Sequence, residues 1–167
     1  MKEIKLTIDG KEIQLTDEQL KMLGIEPEKK RKNPFERVAE DEVYFRIGMG
    51  GDVFSSYECG DTSDEESVLC VNYFNDDAFA EQVSLQQLLY RKLLKVSYDN
   101  ECEDTAEWDG VNPHWHIIYN KVNDVFITMK KLASKDFTVY FSTEEGAERA
   151  IGEVVEPFMK EHPEFVW

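Results

Sequence analysis

The sequence predicts an α+β fold. It is read as a tandem β-β-β-α repeat forming one antiparallel sheet of about six strands, with two helices on one face. An N-terminal β-hairpin and a short helix precede it. Three observations predict this. "VNYFNDDAFAEQ" (71–82) returns as "TVYFSTEEGAER" (138–149), each a Tyr-Phe step, a polar and acidic turn, and an Ala-Glu pair that opens a helix. "DVF" recurs at 52–54 and 124–126 and sets the register of the two copies. Charge divides the chain: residues 1–34 hold 8 basic and 7 acidic side chains, whereas residues 35–167 hold 11 and 28, a net −17.

The elements follow in order. Ile4, Leu6 and Ile8 alternate with polar residues, Asp9-Gly10 suits a two-residue turn, and Ile13 and Leu15 answer on the return strand. Thr16 with Gln19 forms a capping box for "DEQLKML", which stops at Gly24. This arm (1–25) cannot stabilise itself and needs the body, a second copy or a target against it, so a homodimer through the arm is one expectation. "EPEKKRKNP" is a basic linker (26–34) bounded by prolines. The body (35–167) carries repeats at about 42–97 and 114–160. "EVYFRI", the turn "GMGG" and "DVFSSYE" match "HWHIIYN", "KVN" and "DVFITMK", and the third strands are "SVLCVNYF" and "DFTVYF". The first helix starts at Asn75 or Asp76 and is expected to bury Phe79, Val83, Tyr90 and Leu94. The second starts with Ser142 and Glu145 as a capping box, buries Ala147, Ala150, Ile151, Val154, Val155 and Phe158, and kinks or ends at Pro157.

A chain of 167 residues with 41% hydrophobic side chains suits one core with a small appendage. No run reaches membrane-spanning length, and "MKEIKLTIDG" lacks the apolar stretch of a signal peptide. Cys59, Cys70 and Cys102 are an odd count at unpatterned spacing, which points to a reducing cytosol rather than a disulfide framework. The net charge of −16 repels nucleic acid and favours encounter with basic surfaces, although solubility alone also accounts for it.

Two acidic segments are the candidate contact sites. In "SYDNECEDTAEWDGVNP", Asp99, Glu101, Glu103, Asp104, Glu107 and Asp109 flank Trp108; in "ECGDTSDEES" stand Glu58, Asp61, Asp64, Glu65 and Glu66. Carboxylates steer a basic partner while an aromatic ring supplies the anchor. A solvated linker between the repeats is the compatible plain reading. A calcium loop fails in detail, because Asp104 stands where glycine belongs and Gly110 where the bidentate Glu belongs. His114 and His116 share one strand face and are read as core-edge histidines, with a metal site as the alternative. "GMGGD" lacks the strand-to-helix context of a phosphate loop. No nucleophile elbow, Cys-x-x-Cys, His-Glu-x-x-His or kinase signature occurs, so neither an enzyme nor a cofactor is expected.

"NPFERVAEDEVYFRI", "GDVFSS" and "VNYFNDDAFAEQ" resemble a diffuse group of small phage and prophage accessory proteins from Gram-positive bacteria. The opening "KEIKLTIDGKEIQLTDEQLKMLG" is similar to pieces fused to some of them. The chain departs from the group's Thr-x-Glu-Glu-Ala helix start with "NDDAFA". Some similar proteins are anti-defence factors, including anti-CRISPR proteins. The resemblance implies no transferable catalytic residues. The resemblance favours an inhibitor, and with the body charge of −17, the two acidic segments and Trp108 it leads to the expectation of a cytoplasmic protein that binds a host defence protein and occludes a basic nucleic-acid-binding surface of a nuclease complex. Direct binding to nucleic acid or membrane is not expected. A sponge for a small-molecule defence signal, using Arg46, Arg91, Lys92 and Lys95, is the first alternative. A divalent-metal-dependent enzyme is the second.

Overall fold

The computed structural model describes the strands Lys5–Ile8 (β1) and Lys11–Gln14 (β2) and residues 33–167. The chain divides into two compact units, Met1–Asn33 and Pro34–Trp167. In the first, β1 and β2 pair antiparallel with Ile8 opposite Lys11, the register of the predicted hairpin. The helix expected after Thr16 and residues 26–32 of the basic linker lie outside the described residues.

In the second unit, Val43–Ile47 (β3) pairs antiparallel with Val53–Tyr57 (β4). The Gly-rich turn between them has a steric origin. Gly51 adopts φ +96, and a side chain on Gly48 would meet the Phe54 ring at 2.4 Å. Thr62–Leu69 (α1) and Asp77–Asp99 (α2) follow. His114–Asn120 (β5) pairs with Val125–Lys131 (β6), and the chain ends in Glu144–Ala150 (α3), a π-helical turn over Ile151–Val155, and Glu156–Glu161 (α4).

The α+β class holds, but the six-stranded sheet does not form. Three separate two-stranded sheets stand among the described residues. Each third strand shrinks to one bridging residue, Phe74 to Phe45 and Phe141 to Trp115, with Phe141 bridging Glu103 as well. The bridges to Phe45 and Trp115 are equivalent. Phe74 and Phe45 exchange backbone hydrogen bonds at 2.9 and 2.7 Å; Phe141 and Trp115 do so at 2.7 and 3.0 Å. The next residue then ties back to a leading segment, Asn75 N–H to the Pro34 carbonyl and Ser142 N–H to that of Cys102. The repeat is therefore real at the Tyr-Phe step, and β3 and β5 each spend their free edge on it.

Local chemistry explains why pairing stops there. Within "SVLCVNYF", Ser67, Val68 and Leu69 belong to α1, and Val71 turns the chain at φ +57. Asn72 then stands opposite Ile47 and supplies both ladder bonds from its side chain: Nδ2 donates to the Ile47 carbonyl (2.9 Å) and Oδ1 accepts its N–H (2.8 Å). In "DFTVYF", the Asp136 N–H donates to the Tyr140 hydroxyl and Phe137 swings outward, 95% exposed.

The helices differ from expectation in detail. Asp76 caps α2, accepting from Phe79 N–H, whereas Thr143, not Ser142, caps α3 by accepting from Gly146 N–H. Acidic Asp77, Glu144 and Glu145 fill the first turns, where the unpaired amides favour them. Pro157 neither ends nor breaks the helical run. It occupies the first turn of α4, where no intrahelical N–H is required, and the π-helical turn absorbs the change of pitch. On α2 the buried face is Ala80, Ser84, Leu89, Leu93 and Ser97, so Tyr90 and Leu94 stand outward. One core joins Leu89 and Leu93 to Ile117, Val139, Phe141 and the helix residues Ala147, Ala150, Val155 and Phe158. Ile151 and Val154 are partly buried against it.

Candidate functional site

The segment 58–66 is not an acidic loop. Asp61 caps α1, accepting from Ser63 and Asp64 N–H, while the Asp64 side chain accepts back from Asp61 N–H. Buried Asp64 also accepts from the Tyr44 hydroxyl (2.8 Å) and Cys59 N–H (2.8 Å). The Cys59 amide, then the Tyr44 hydroxyl, hold its carboxyl below the usual range. Glu58 is buried as well. Its Oε2 accepts from Arg37 Nε (2.9 Å) and the Tyr73 hydroxyl (2.8 Å), and its Oε1 from Arg37 Nη2 (2.8 Å) and Gly60 N–H (2.9 Å). Arg37 holds the Glu58 carboxyl low, and burial, with Glu58 next, pushes the Tyr73 phenol up to about 12. Tyr44 and Tyr73 stack at 4.1 Å. Of this segment's carboxylates, Asp61, Glu65 and Glu66 face solvent, and Glu65 pairs with Arg37 at 2.7 Å.

The segment 97–113 is divided in the same way. Asp99 belongs to α2 and pairs with Lys95. Asp104 closes onto His114, both carboxylate oxygens lying 2.8–2.9 Å from Nδ1, and His114 is fully buried. Trp108 stacks flat on His114 at 3.6 Å with Tyr140 edge-on at 4.9 Å, and the Lys135 ammonium lies 5.7 Å above the indole. Asp109 accepts from Val111 and Asn112 N–H, and those amides hold its carboxyl low. Glu103 Oε2, His114 Nε2 and His116 Nδ1 are enclosed without a hydrogen-bond partner. Glu101, Glu107 and Asp109 are exposed and Trp108 is half-buried.

The structure thus joins Asp104 and Trp108 through His114, and recruits Glu58 and Asp64 into the interior. No hydrogen bond or ion pair links the two acidic segments among the described residues. The side chains that sequence reasoning passed over are Arg37, Tyr44, Tyr73 and Tyr140. The Tyr-Phe step was the signal for the three tyrosines: the Phe bridges, and the Tyr alongside reaches the neighbouring acidic segment. His114 and His116 both lie against Tyr140, and no three of His, Cys, Asp and Glu gather around one point among the described residues. Burial, then Lys131, keeps the His116 imidazole from protonating at its ordinary pH. Of the four cations weighed for a sponge, Arg46 donates to Ser63, Lys95 pairs with Asp99, and Arg91 lines a cavity beside α2. Cys59, Cys70 and Cys102 are free thiols, and no described helix is long and apolar enough to cross a membrane.

No protein-family model matches the chain, and neither a curated protein nor a solved structure is significantly similar to it.

Proposed function

We propose that the protein is a non-enzymatic, acidic binding protein that occludes a basic, nucleic-acid-binding surface of a host defence protein, of the kind a nuclease complex presents. The observation that carries this reading is where the charge goes. Residues 35–167 hold 28 carboxylates against 11 cations; Glu58 and Asp64 are buried, Glu103 and Asp104 are partly enclosed, and the remainder are exposed. Internal ion pairs with Arg37, Lys95 and Lys131 leave the net charge unchanged. The excess therefore acts outward over a Debye length of about 8 Å at physiological salt, where it accelerates encounter with a basic surface. Glu66, Glu101 and Glu107 are exposed and have no side-chain partner among the described residues, and half-buried Trp108 in the second segment offers an anchor. The defence target rests on the sequence resemblance, and the basic surface rests on the charge.

Capture from a bacterial lysate, comparing wild type with the triple variant Glu66→Lys, Glu101→Lys, Glu107→Lys, tests this. Each reversal adds two charges, so the net moves from −16 to −10 without touching a described internal contact. A specific partner is expected to be lost by the variant and to associate more slowly with the wild type as salt rises. Capture undiminished by the reversals would sink the reading.

A further inference from the structure

We propose that the groove between α2, residues 137–139 and residues 165–167 binds a small amphipathic carboxylate, its apolar body on the groove floor and its anionic end at Arg91. None of its lining residues is acidic, although across Tyr90, Phe137, Thr138 and Val139 it adjoins a cleft lined by Glu103 and Asp104; the site is independent of the reading above.

The groove has a volume of about 640 Å³, within the roughly 300–1,000 Å³ usual for small-molecule sites. Leu89, Leu93, Val139 and Phe165, all buried, make its floor. Phe137 and Trp167 stand over it as a rim. Phe137 is 95% exposed, yet its ring lies parallel to Tyr90 at 5.5 Å, so a large apolar side chain is propped beside the opening rather than folded into the core. The polar groups at the edge are few: Gln86, Gln87, Thr138 and Arg91. An apolar cleft with one cation and a pair of amides is the lining that an apolar acid requires.

Charge patterning selects the sign of the ligand. The chain carries 35 acidic residues, yet none falls between 82 and 98, where Arg91, Lys92 and Lys95 all stand. Lys95 pairs with Asp99 in the next turn. The residues three and four positions from Arg91 are Gln87, Leu88, Leu94 and Lys95, so no helical neighbour neutralises it, and no carboxylate among the described residues pairs with it. In a molecule with so large an acidic excess, an unpaired guanidinium at the lip of an apolar groove is matched to an incoming carboxylate, which it can hold through two parallel hydrogen bonds.

Titration calorimetry and amide NMR of the full chain with octanoate and octylammonium test the assignment, since these share a body and differ in charge. Octanoate is expected to bind saturably at one site, shift the amides of Arg91, Val139 and Trp167, and outbind octylammonium at least tenfold, against the pull of the protein's overall charge. Shortening the acid is expected to cost about fourfold in affinity per methylene lost from the floor. Arg91→Gln should weaken octanoate about tenfold and should not weaken octylammonium. Gln87→Trp, filling the groove from an exposed helix position, should abolish binding with the thermal midpoint retained. Non-saturable octanoate binding, equal affinity for octylammonium, or an Arg91→Gln variant that binds as well as wild type would overturn the proposal. So would binding of a Glu/Leu-rich amphipathic peptide at these amides without binding of octanoate.

Discussion

Glu58→Gln probes whether an acidic residue of the contact segment acts inside or outside the protein. The carboxylate accepts four hydrogen bonds, two at each oxygen. An amide at this position must turn its NH2 toward one oxygen's pair of donors. Facing one way it meets Arg37 Nη2 and Gly60 N–H; facing the other it meets Arg37 Nε and the Tyr73 hydroxyl. Arg37 is 39% exposed on its side chain and returns to solvent. What remains is one buried donor without an acceptor, worth about 2 kcal/mol, or a thermal midpoint lowered by roughly 4–8 °C. The pH dependence has a definite sign. Because Arg37 holds the folded carboxyl below its unfolded value, the stabilisation is complete above the unfolded value of about 4.3 and is lost as pH falls through the folded one. Urea unfolding of wild type and variant should therefore differ at pH 7 and converge below about pH 4, with Glu66→Gln as the neutral control. Equal stability at pH 7, or a difference unchanged down to pH 3, would refute the reasoning.

Three further outcomes are expected from urea unfolding. Asp76→Ala and Thr143→Ala should each cost about 1 kcal/mol and add in combination, because they cap different helices, while Ser142→Ala should cost little. Gly146→Ala and Gly152→Ala should have opposite signs. The first drives a methyl to 2.8 Å from Cys102 Cβ, a clash of about 1–3 kcal/mol that outweighs a helix-propensity gain of about 1, whereas the second meets nothing within 4 Å and keeps that gain. Finally, His116 is buried and its imidazole resists protonation in the fold, so the unfolded chain takes up the proton first. Stability should fall as pH drops below about 6.5, and His116→Phe should flatten that slope between pH 7.5 and 5.5.

The internal repeat was legible because its signature is chemical: an aromatic that bridges, then a capping residue, then an alanine that packs with no exposure at all, Ala80 and Ala147. The hairpins were legible from alternation and from Gly48 and Gly51. The continuous sheet was misread because alternation records which face of a segment is buried, not what its backbone pairs with. Asn72 satisfies Ile47 from a side chain, and no residue pattern separates that from a strand. The face of α2 was misjudged in its second half: Phe79 and Val83 are partly buried, whereas Leu89 and Leu93 take the core places expected of Tyr90 and Leu94. Of the candidate site, acidity was visible and its use was not. Glu58 and Glu66 look alike in sequence, and only the positions of Arg37 and Tyr73 make the first structural and leave the second exposed. Trp108 was expected to act as an anchor, but its stacking on His114 depends on Asp104 holding that ring, a contact across ten residues of loop.

Competition with nucleic acid tests the central claim most directly. The captured host protein would be bound to labelled duplex DNA or RNA and titrated with the wild-type chain and the triple reversal. Displacement by the wild type at stoichiometric concentration, weakened at least tenfold by the reversals and by raised salt, is the predicted result. A ternary complex in which the nucleic acid stays bound would contradict it.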